Sequence, residues 1–283
     1  MNAWLRIFCV LPPILIAHFL FSQSQQLPIV LKGTVTDGKG NQLPFVNIGV
    51  IGKNAGTVSD AQGYFSIELS RQFSNDSIQF SSIGYYSRTY SIEELATLDL
   101  TKHSIVLTAE FISLDEVTIT PRQWKTKILG NTTRSKFMSG GFSSNDLGAE
   151  AATLIKIRKH PTYLEKVSFH LSYNKLDSIK LRLNIYAMKD GKSSRNITPE
   201  NIILNLQNKQ TGNVDIDLSK YDLLLEDDVL IALQLVAGKG DFRSSVFMSA
   251  SVLGTPTYYR EASHATWKVY KGLSIGINAT VKQ

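Results

Sequence analysis

Apolar and polar residues alternate one by one along several stretches of this chain, and a period of two is typical of β-strands. In the clearest stretch one face holds Val167, Phe169, Leu171 and Tyr173, and the other holds Ser168, His170 and Ser172. The same alternation occurs in residues 179–185, 214–218, 246–252 and 273–281. Strands of this kind have one buried and one solvent-exposed face, so we expect two antiparallel sheets packed face to face.

Two of these stretches predict specific positions in the sheets. In residues 179–185 the isoleucines and leucines are expected in the core, which places Lys180, Arg182 and Asn184 on the solvent-exposed face. Residues 228–236 are apolar on both sides, so this strand is expected at the centre of a sheet. The sequence therefore predicts a C-terminal antiparallel β-sandwich over residues 148–283.

The first part of the chain is also rich in β-branched and aromatic residues, with turn residues between short runs. The predicted strands cover residues 29–36, 45–51, 63–69, 77–83, 85–90 and 104–109, and a short helix is predicted over residues 92–98. The fold class is therefore all-β, with an N-terminal sandwich over residues 29–120.

Residues 56–67, GTVSDAQGYFSI, read as two short strands joined by a tight reversal, and we predict a β-hairpin. Asp60 is expected to accept hydrogen bonds from the backbone of its own turn. Gly63 is expected to adopt a positive φ, and Phe65 is expected to point into the core. Asp at a glycine-bounded turn is usually structural, so this segment predicts a fold element and no catalytic group.

Four spaced motifs in the first domain carry a family resemblance. They are Gly33-x-Val35-x-Asp37, Pro44-x-Val46-Asn47-Ile48, Gly56-Thr57-x-Ser59-Asp60-x-x-Gly63-x-Phe65 and Ser82-Ile83-Gly84-Tyr85. In this order, over residues 29–107, they resemble the carboxypeptidase D regulatory-like family. The resemblance implies a small transthyretin-like (prealbumin-like) β-sandwich, usually an accessory module of exported proteins, and does not imply peptidase activity.

The chain begins with a pattern typical of a secretory signal peptide. One positive charge precedes an almost wholly apolar run over residues 7–21, and Ser22-Gln23-Ser24 supplies small residues for cleavage. We therefore expect residues 1–24 to be removed and the protein to be exported, to the periplasm or cell surface of a Gram-negative bacterium. Cys9 lies in this run, so the mature chain has no thiol for a disulfide, a thiolate metal site or a nucleophile.

The rest of the sequence offers no recognisable catalytic motif. A zinc carboxypeptidase needs a His-x-x-Glu pair, and none of His103, His160, His170 and His264 has Glu at the third following position. We therefore expect no enzyme activity, no cofactor and no metal, while carboxylate-based chemistry in the second domain stays an alternative. The net charge of +6 is mild and spread along the chain, which does not indicate a nucleic-acid partner. After signal cleavage no transmembrane helix is expected.

Residues 114–120, LDEVTIT, are similar to the segment that follows this module in TonB-dependent outer-membrane receptors. That resemblance implies a strand added to an energy-transducing partner. The other interpretation is a last edge strand of the first sandwich. Glycines and serines interrupt residues 121–147, which we predict to be a linker.

Residues 197–236 loosely resemble jelly-roll sandwiches of secreted proteins, some of which bind glycans. Such a site needs exposed aromatic rings beside polar groups, and the candidates are Tyr258, Tyr259, Trp267 and Tyr270. We therefore predict a non-catalytic binding or assembly accessory of the envelope, whose partner is an envelope protein or a glycan. The alternatives are a glycan-binding or glycan-processing protein acting through the C-terminal sandwich and a TonB-linked accessory.

Overall fold

The computed structural model of the protein describes residues 27–100, 102–110, 123–241 and 244–283. The predicted signal peptide, residues 1–24, and the segment 114–120 lie outside the described residues, so both stay predictions. The described chain is mostly strand, with one short helix, α1 (Ile92–Thr97), and 3₁₀ turns at Arg71–Phe73 and Ser219–Tyr221. In this part of the chain no helix has the length and apolar character needed to cross a membrane.

The first domain is a sandwich of two sheets, as predicted. Its strands are β1 (Ile29–Asp37), β2 (Asn47–Val50), β3 (Gly56–Val58), β4 (Tyr64–Leu69), β5 (Ser77–Ser81), β6 (Arg88–Ser91) and β7 (Ile105–Leu107). One sheet has the order β4-β1-β7 and the other has the order β3-β2-β5-β6. The buried rings of Phe65 and Phe80 meet edge to face between the sheets, with their centroids 5.4 Å apart.

The predicted hairpin at residues 56–67 is wrong in its pairing. β3 pairs with β2, and β4 pairs with β1, so the reversal carries the chain from one sheet to the other. The hydroxyl of buried Ser59 holds this crossing, because it accepts from the Val46 amide at 2.8 Å and donates to the Leu43 carbonyl at 3.2 Å. The local pattern predicts a reversal but does not say which sheet each arm joins.

The turn chemistry of this reversal is as predicted. Asp60 Oδ1 accepts from the amides of Gln62 and Tyr64, each at 2.9 Å. Gly63 has a φ of +72°, and a Cβ atom there would lie 2.8 Å from the Val35 carbonyl oxygen. Both the backbone angle and the close approach therefore require glycine.

Replacing Gly63 with valine is expected to lower the free energy of unfolding by about 1–3 kcal/mol, because strain and a backbone clash add at this position. Urea unfolding of the purified protein measures the change. Gly38→Val is the matched control, since a Cβ atom at Gly38 meets nothing within 4 Å and its φ is ordinary. Equal midpoints for the two variants would contradict the expectation.

The second domain contains the remaining strands. They are β8 (Thr126–Gly130), β9 (Ser139–Ser143), β10 (Glu150–Ile155), β11 (Thr162–Asn174), β12 (Ser178–Lys189), β13 (Lys192–Asn196), β14 (Ile203–Leu206), β15 (Gly212–Asp217), β16 (Leu223–Leu225), β17 (Val229–Lys239), β18 (Ser245–Ser251), β19 (Thr257–Arg260), β20 (Lys268–Tyr270), β21 (Ser274–Ile275) and β22 (Ile277–Lys282). A seven-stranded sheet has the order β13-β12-β17-β10-β19-β20, with β14 on β12. An eight-stranded sheet has the order β21-β18-β11-β22-β8, with β15 and β16 on β11 and β9 on β18.

The two sheets of the second domain enclose one apolar core, as expected from the alternating pattern. β17 lies between β12 and β10 and is buried on both faces from Val229 to Val236, which confirms its central position. Tyr173 was expected on the core side of β11, but the register shifts between Leu171 and Tyr173. This irregularity places Tyr173 on the surface, stacked on Phe247 with ring centroids 5.6 Å apart.

Two strands lie inside the segment predicted as a linker, residues 121–147. β8 pairs with β22, and β9 pairs with β18, so both extend the eight-stranded sheet. The glycines that suggested a linker have a packing role in β9, because a Cβ atom at Gly141 would lie 2.0 Å from the Val246 carbonyl oxygen. A glycine needed for close backbone approach looks, in sequence, like a strand breaker.

The first domain docks on the outer face of the seven-stranded sheet, and we call this contact the docking interface. Phe45 and Val58 of the first domain pack against Val236 of β17. Gly49 approaches the second domain so closely that a Cβ atom there would lie 1.9 Å from the Ser263 carbonyl oxygen. The Gly52 amide donates to the His264 carbonyl at 2.9 Å.

Arg182 lies at the centre of the docking interface, where it is only 1% exposed. Its Nη1 donates to Asn47 Oδ1 at 3.0 Å and to Gln234 Oε1 at 3.1 Å, and its Nη2 donates to the Phe45 carbonyl. The prediction that Arg182 and Asn184 are solvent-exposed is therefore wrong. Both side chains point away from the core of their own domain, as the alternation requires. The first domain covers Arg182, and Asn184 forms hydrogen bonds with Gln234 and Asn196 of its own domain.

Candidate ligand-binding surface

The docking interface occupies one face of the second domain and leaves the outer face of the eight-stranded sheet uncovered by the first domain. Polar side chains on three adjacent strands of this sheet line a cleft of about 380 Å³, which we call the polar cleft. Its lining includes Ser168 and His170 of β11, Asn213 and Asp215 of β15, Asn278 and Thr280 of β22, and Arg134. Because β15 and β22 flank β11 on opposite sides, residues far apart in sequence meet here.

The segment between β8 and β9, residues 131–138, forms one wall of the polar cleft. Ser249 of β18 donates its hydroxyl to the Ser135 carbonyl at 2.7 Å and lies 2.8 Å from His170 Nδ1. Thr133 lies close over the sheet, since a Cβ atom at Gly276 would be 3.0 Å from the Thr133 carbonyl oxygen. Hydrogen bonds to the sheet therefore position this wall.

The polar cleft combines several kinds of hydrogen-bonding group. Ser168 donates its hydroxyl to Asp215 Oδ1 at 2.6 Å, and Lys166 Nζ lies 3.7 Å from Asp215 Oδ2. Within the described residues the side-chain amides of Asn213 and Asn278 make no protein hydrogen bond, so both stay free to bind a ligand.

The electrostatics of the polar cleft favour a neutral imidazole. Burial, then the charges of Arg134 and Lys136, lowers the pKa of His170 below its usual value. His170 is therefore unprotonated at neutral pH and can donate from one ring nitrogen and accept at the other. Among the described lining residues Asp215 is the one carboxylate side chain, and glycoside hydrolysis by the usual mechanisms needs two.

The structure does not bring the four aromatic candidates onto one surface. Tyr258 and Trp267 pack on the apolar cluster of the face that carries the docking interface. Tyr259 packs on the core of the second domain and stacks on Phe142, with centroids 6.4 Å apart. Tyr270, the most exposed of the four candidates at 44%, meets the Tyr259 ring edge to face. The four side chains therefore form two groups on opposite faces of the seven-stranded sheet.

A buried charged group explains the position of Trp267. The guanidinium of Arg260 lies 4.6 Å from the Trp267 ring centroid and 5.4 Å from that of Tyr186. It forms an ion pair with Glu150, which is fully buried and accepts a hydrogen bond from the Tyr186 hydroxyl at 3.1 Å. Burial acts to lower the pKa of Arg260, but Glu150 outweighs it, so the pKa is raised and the ion pair persists. One face of the Trp267 ring is therefore occupied by the protein's own cation.

The sequence singled out aromatic residues and missed the amides of the polar cleft. The alternation identified His170 as outward-facing, and Asn213 directly precedes the alternating residues 214–218. Nothing in the sequence indicates that β15 and β22 flank the same strand. The pattern of each strand shows which of its residues face outward, but it does not show which strands lie side by side to form the cleft.

Among the described residues no group of three or more His, Cys, Asp or Glu side chains is placed to hold a metal ion. The protein is therefore an all-β protein of two docked β-sandwiches. Its candidate binding face is the polar cleft on the sheet that the first domain leaves uncovered.

Residues 31–119 match the family model of the CarboxypepD_reg-like domain. This match confirms the family resemblance that the sequence motifs of the first domain indicate. The matched residues are less than half of the chain. Belonging to this domain family makes the first domain an accessory module and identifies no ligand.

Comparison with solved structures gives two distant likenesses to one clostridial protein. The cysteine protease Cwp84, after propeptide cleavage, is 10% identical over 81% of this chain and 51% of its own, with a TM-score of 0.40. The cysteine protease and lectin-like domains of Cwp84, a surface layer associated protein of Clostridium difficile, are 8% identical over 92% of this chain and 59% of their own, with a TM-score of 0.39. The chain thus spans about half to three fifths of these structures, and similarity at this level supports no inference. No curated protein matches the chain.

The docking interface predicts a pH dependence of stability through His264. Burial, then the charge of Arg260, lowers the pKa of His264 to about 4. The unfolded chain binds this proton near pH 6.5, so the free energy of unfolding should fall by about 2–3 kcal/mol between pH 6.5 and 4. Above pH 6.5 both states are neutral at this site, and the contribution is constant.

Urea unfolding at pH 7.5, 5.5 and 4.5, compared between the protein and His264→Asn, isolates this contribution from the carboxylates that titrate in the same range. Asparagine is chosen because His264 has a φ of +64°, which asparagine tolerates. The difference in the free energy of unfolding between the protein and His264→Asn should become smaller as the pH falls. A difference in the free energy of unfolding that is the same at all three pH values would contradict the expectation.

Proposed function

We propose that the protein is a non-catalytic binding protein of a bacterial envelope, and that it recognises glycans through the polar cleft of its C-terminal sandwich. The observation that carries this proposal is the set of unpartnered amides, Asn213 and Asn278, beside His170 and Asp215 in a concave cleft on the uncovered sheet. Sugar hydroxyls both donate and accept, so a mixed set of amide, imidazole and carboxylate groups suits them. The single carboxylate of the cleft favours binding over hydrolysis.

In this proposal the first domain is a rigid spacer that holds the second domain in a fixed orientation. The hydrogen bond from Arg182 to Asn47, together with the close packing at Gly49, supports a fixed orientation. Export to the periplasm or cell surface is part of the proposal and is supported by the signal-like sequence over residues 1–24.

The test is binding of the chain from residue 25 to a glycan array, followed by calorimetry on the strongest glycan. Asn213→Ala with Asn278→Ala should abolish binding, while Asn205→Ala, an exposed amide on the other sheet, should leave the affinity unchanged. Tyr270→Ala tests the alternative that the exposed aromatic ring carries recognition. Retained affinity in the double variant would overturn the assignment to the polar cleft, and absence of any glycan ligand would favour a protein partner.

A further inference from the structure

A second cleft, of about 610 Å³, lies beside the polar cleft, and we call it the basic cleft. The edge strand β8, the end of β10 and the segment between β18 and β19 enclose it. Four cationic side chains line it: Lys127 of β8, and Lys156, Arg158 and Lys159 in the segment after β10. Among the described residues that line it none is an aspartate or glutamate, and Gln283 also lines it.

These four cations differ from other cations of the same domain. Lys166, Lys220, Lys268 and Lys282 each form an ion pair with a carboxylate. Within the described part of the chain, none of the four cations of the basic cleft has such a partner. Like charges in one concavity repel each other and raise the local positive potential, which an anionic ligand relieves.

The other residues that line the basic cleft indicate which class of anion it binds. Its apolar residues are aliphatic, namely Leu129, Leu154 and Leu253, and it contains no aromatic ring on which a nucleobase stacks. Thr132 and Thr255 add hydroxyl groups suited to hydroxyl-rich ligands. The volume falls in the range of pockets that hold small ligands or short oligomer segments.

The basic cleft and the polar cleft adjoin each other at the end of β8. Thr132 lines both, and Arg134, two residues further on, lies in the polar cleft. Asn131 fixes the chain between them, because its Nδ2 donates to Ser251 Oγ at 2.9 Å and to the Ser274 carbonyl at 2.7 Å. An oligosaccharide that lies in the polar cleft and passes Thr132 would reach the basic cleft.

We infer that the basic cleft is an anion-binding subsite and that the ligand of this surface is an acidic oligosaccharide, carrying carboxylate or sulfate groups. The inference rests on the proposed glycan-binding function and adds the charge of the ligand to it. Hydroxyl groups of the glycan bind in the polar cleft, and its anionic groups bind Lys127, Lys156 and Arg158.

The test compares matched acidic and neutral ligands by calorimetry with the chain from residue 25. Oligogalacturonates are compared with their methyl esters, and sulfated galactan oligomers with the desulfated oligomers, so that the two pairs distinguish carboxylate from sulfate. The acidic member of at least one pair should bind about tenfold tighter or more than its neutral counterpart, and raising the salt concentration should weaken it.

Lys156→Gln with Arg158→Gln should weaken acidic binding about tenfold and leave neutral binding unchanged. Lys220→Gln with Lys268→Gln removes the same charge elsewhere on the domain and should have less than about a twofold effect.

Each further outcome bears on one proposal or on both. Equal affinity for acidic and neutral oligomers, with no effect of the double variant, would overturn the anionic subsite and leave glycan binding standing. Binding of none of the oligomers would overturn the anionic subsite, and the absence of any ligand on the glycan array as well would overturn both proposals. Tighter binding of a single-stranded DNA oligonucleotide than of any oligosaccharide would overturn the choice of an acidic glycan.

Discussion

Replacing Arg182 with alanine is expected to lower the free energy of unfolding by about 3–5 kcal/mol, because the hydrogen bonds and the packing of a large, fully buried side chain are lost together. The guanidinium donates to Asn47, Gln234 and the Phe45 carbonyl, so its removal loses three hydrogen bonds, leaves the Phe45 carbonyl without this donor and opens a cavity. Burial, opposed by Glu150, lowers the pKa of Arg182 to about 10, so the side chain is still charged at neutral pH.

Denaturant unfolding monitored by both far-ultraviolet circular dichroism and tryptophan fluorescence measures this change. Since the lost bonds join the two domains, the variant should also show two separated transitions where the unaltered protein shows one. Arg195→Ala is the control, because Arg195 is exposed on β13 and its loss should cost less than about 0.5 kcal/mol. A single transition with an unchanged midpoint in the Arg182 variant would contradict the role of Arg182 in domain coupling.

Replacing Glu150 with alanine should be comparably destabilising, by about 3–5 kcal/mol, because it leaves the charge of Arg260 without its buried partner. Arg182 lies in the same electrostatic environment, so removal of the carboxylate also leaves two guanidinium groups uncompensated. Glu261→Ala is the matched control, since Glu261 pairs with Lys268 on the surface, where an ion pair contributes about 0–1 kcal/mol.

A double-mutant cycle separates the ion pair from the general cost of a cavity. Glu150→Ala combined with Arg260→Met should recover part of the loss, because no unpaired charge stays buried. If the double variant is less stable than the sum of the single changes predicts, the destabilisation comes from packing and not from the unpaired charge. The Arg182 and Glu150 changes should not add, since the two side chains share one buried environment.

The parts of the fold that the sequence predicted are those set by local pattern. Alternation identified the strands β11, β12, β15, β18 and β22 of the second domain, and runs of β-branched and aromatic residues identified the strands of the first domain. The continuous apolar run over residues 228–236 identified the central strand. The conformation of Gly63 and the hydrogen bonds of Asp60 followed from the chemistry of one turn. In each of these cases the deciding interaction lies within a few residues of the pattern that predicts it.

The parts that the sequence did not predict depend on contacts between distant segments. The alternation correctly directs Arg182 away from the core of its own sandwich, but a pattern within one strand carries no information about a second domain. The strand pairing around residues 59–63 was mispredicted for the same reason. The local pattern is satisfied whether β3 and β4 pair with each other or with strands of two different sheets. The polar cleft depends on the strand order around β11, which no single strand reveals. The aromatic candidates were chosen by residue type alone, and the fold does not place them on one surface.

Gly49 has a consequence for how such a protein can evolve. Accessory β-domains are often regarded as interchangeable units, joined to new neighbours by recombination of their coding segments. The approach of the Gly49 backbone to the Ser263 carbonyl leaves no room for any side chain, and this requirement belongs to the pair of domains and not to either sandwich alone. Grafting another domain of the same family onto residues 123–283 should therefore give a rigid pair only where the graft carries glycine at the position of Gly49 and a side-chain acceptor at the position of Asn47. The contact therefore constrains the two domains to change together.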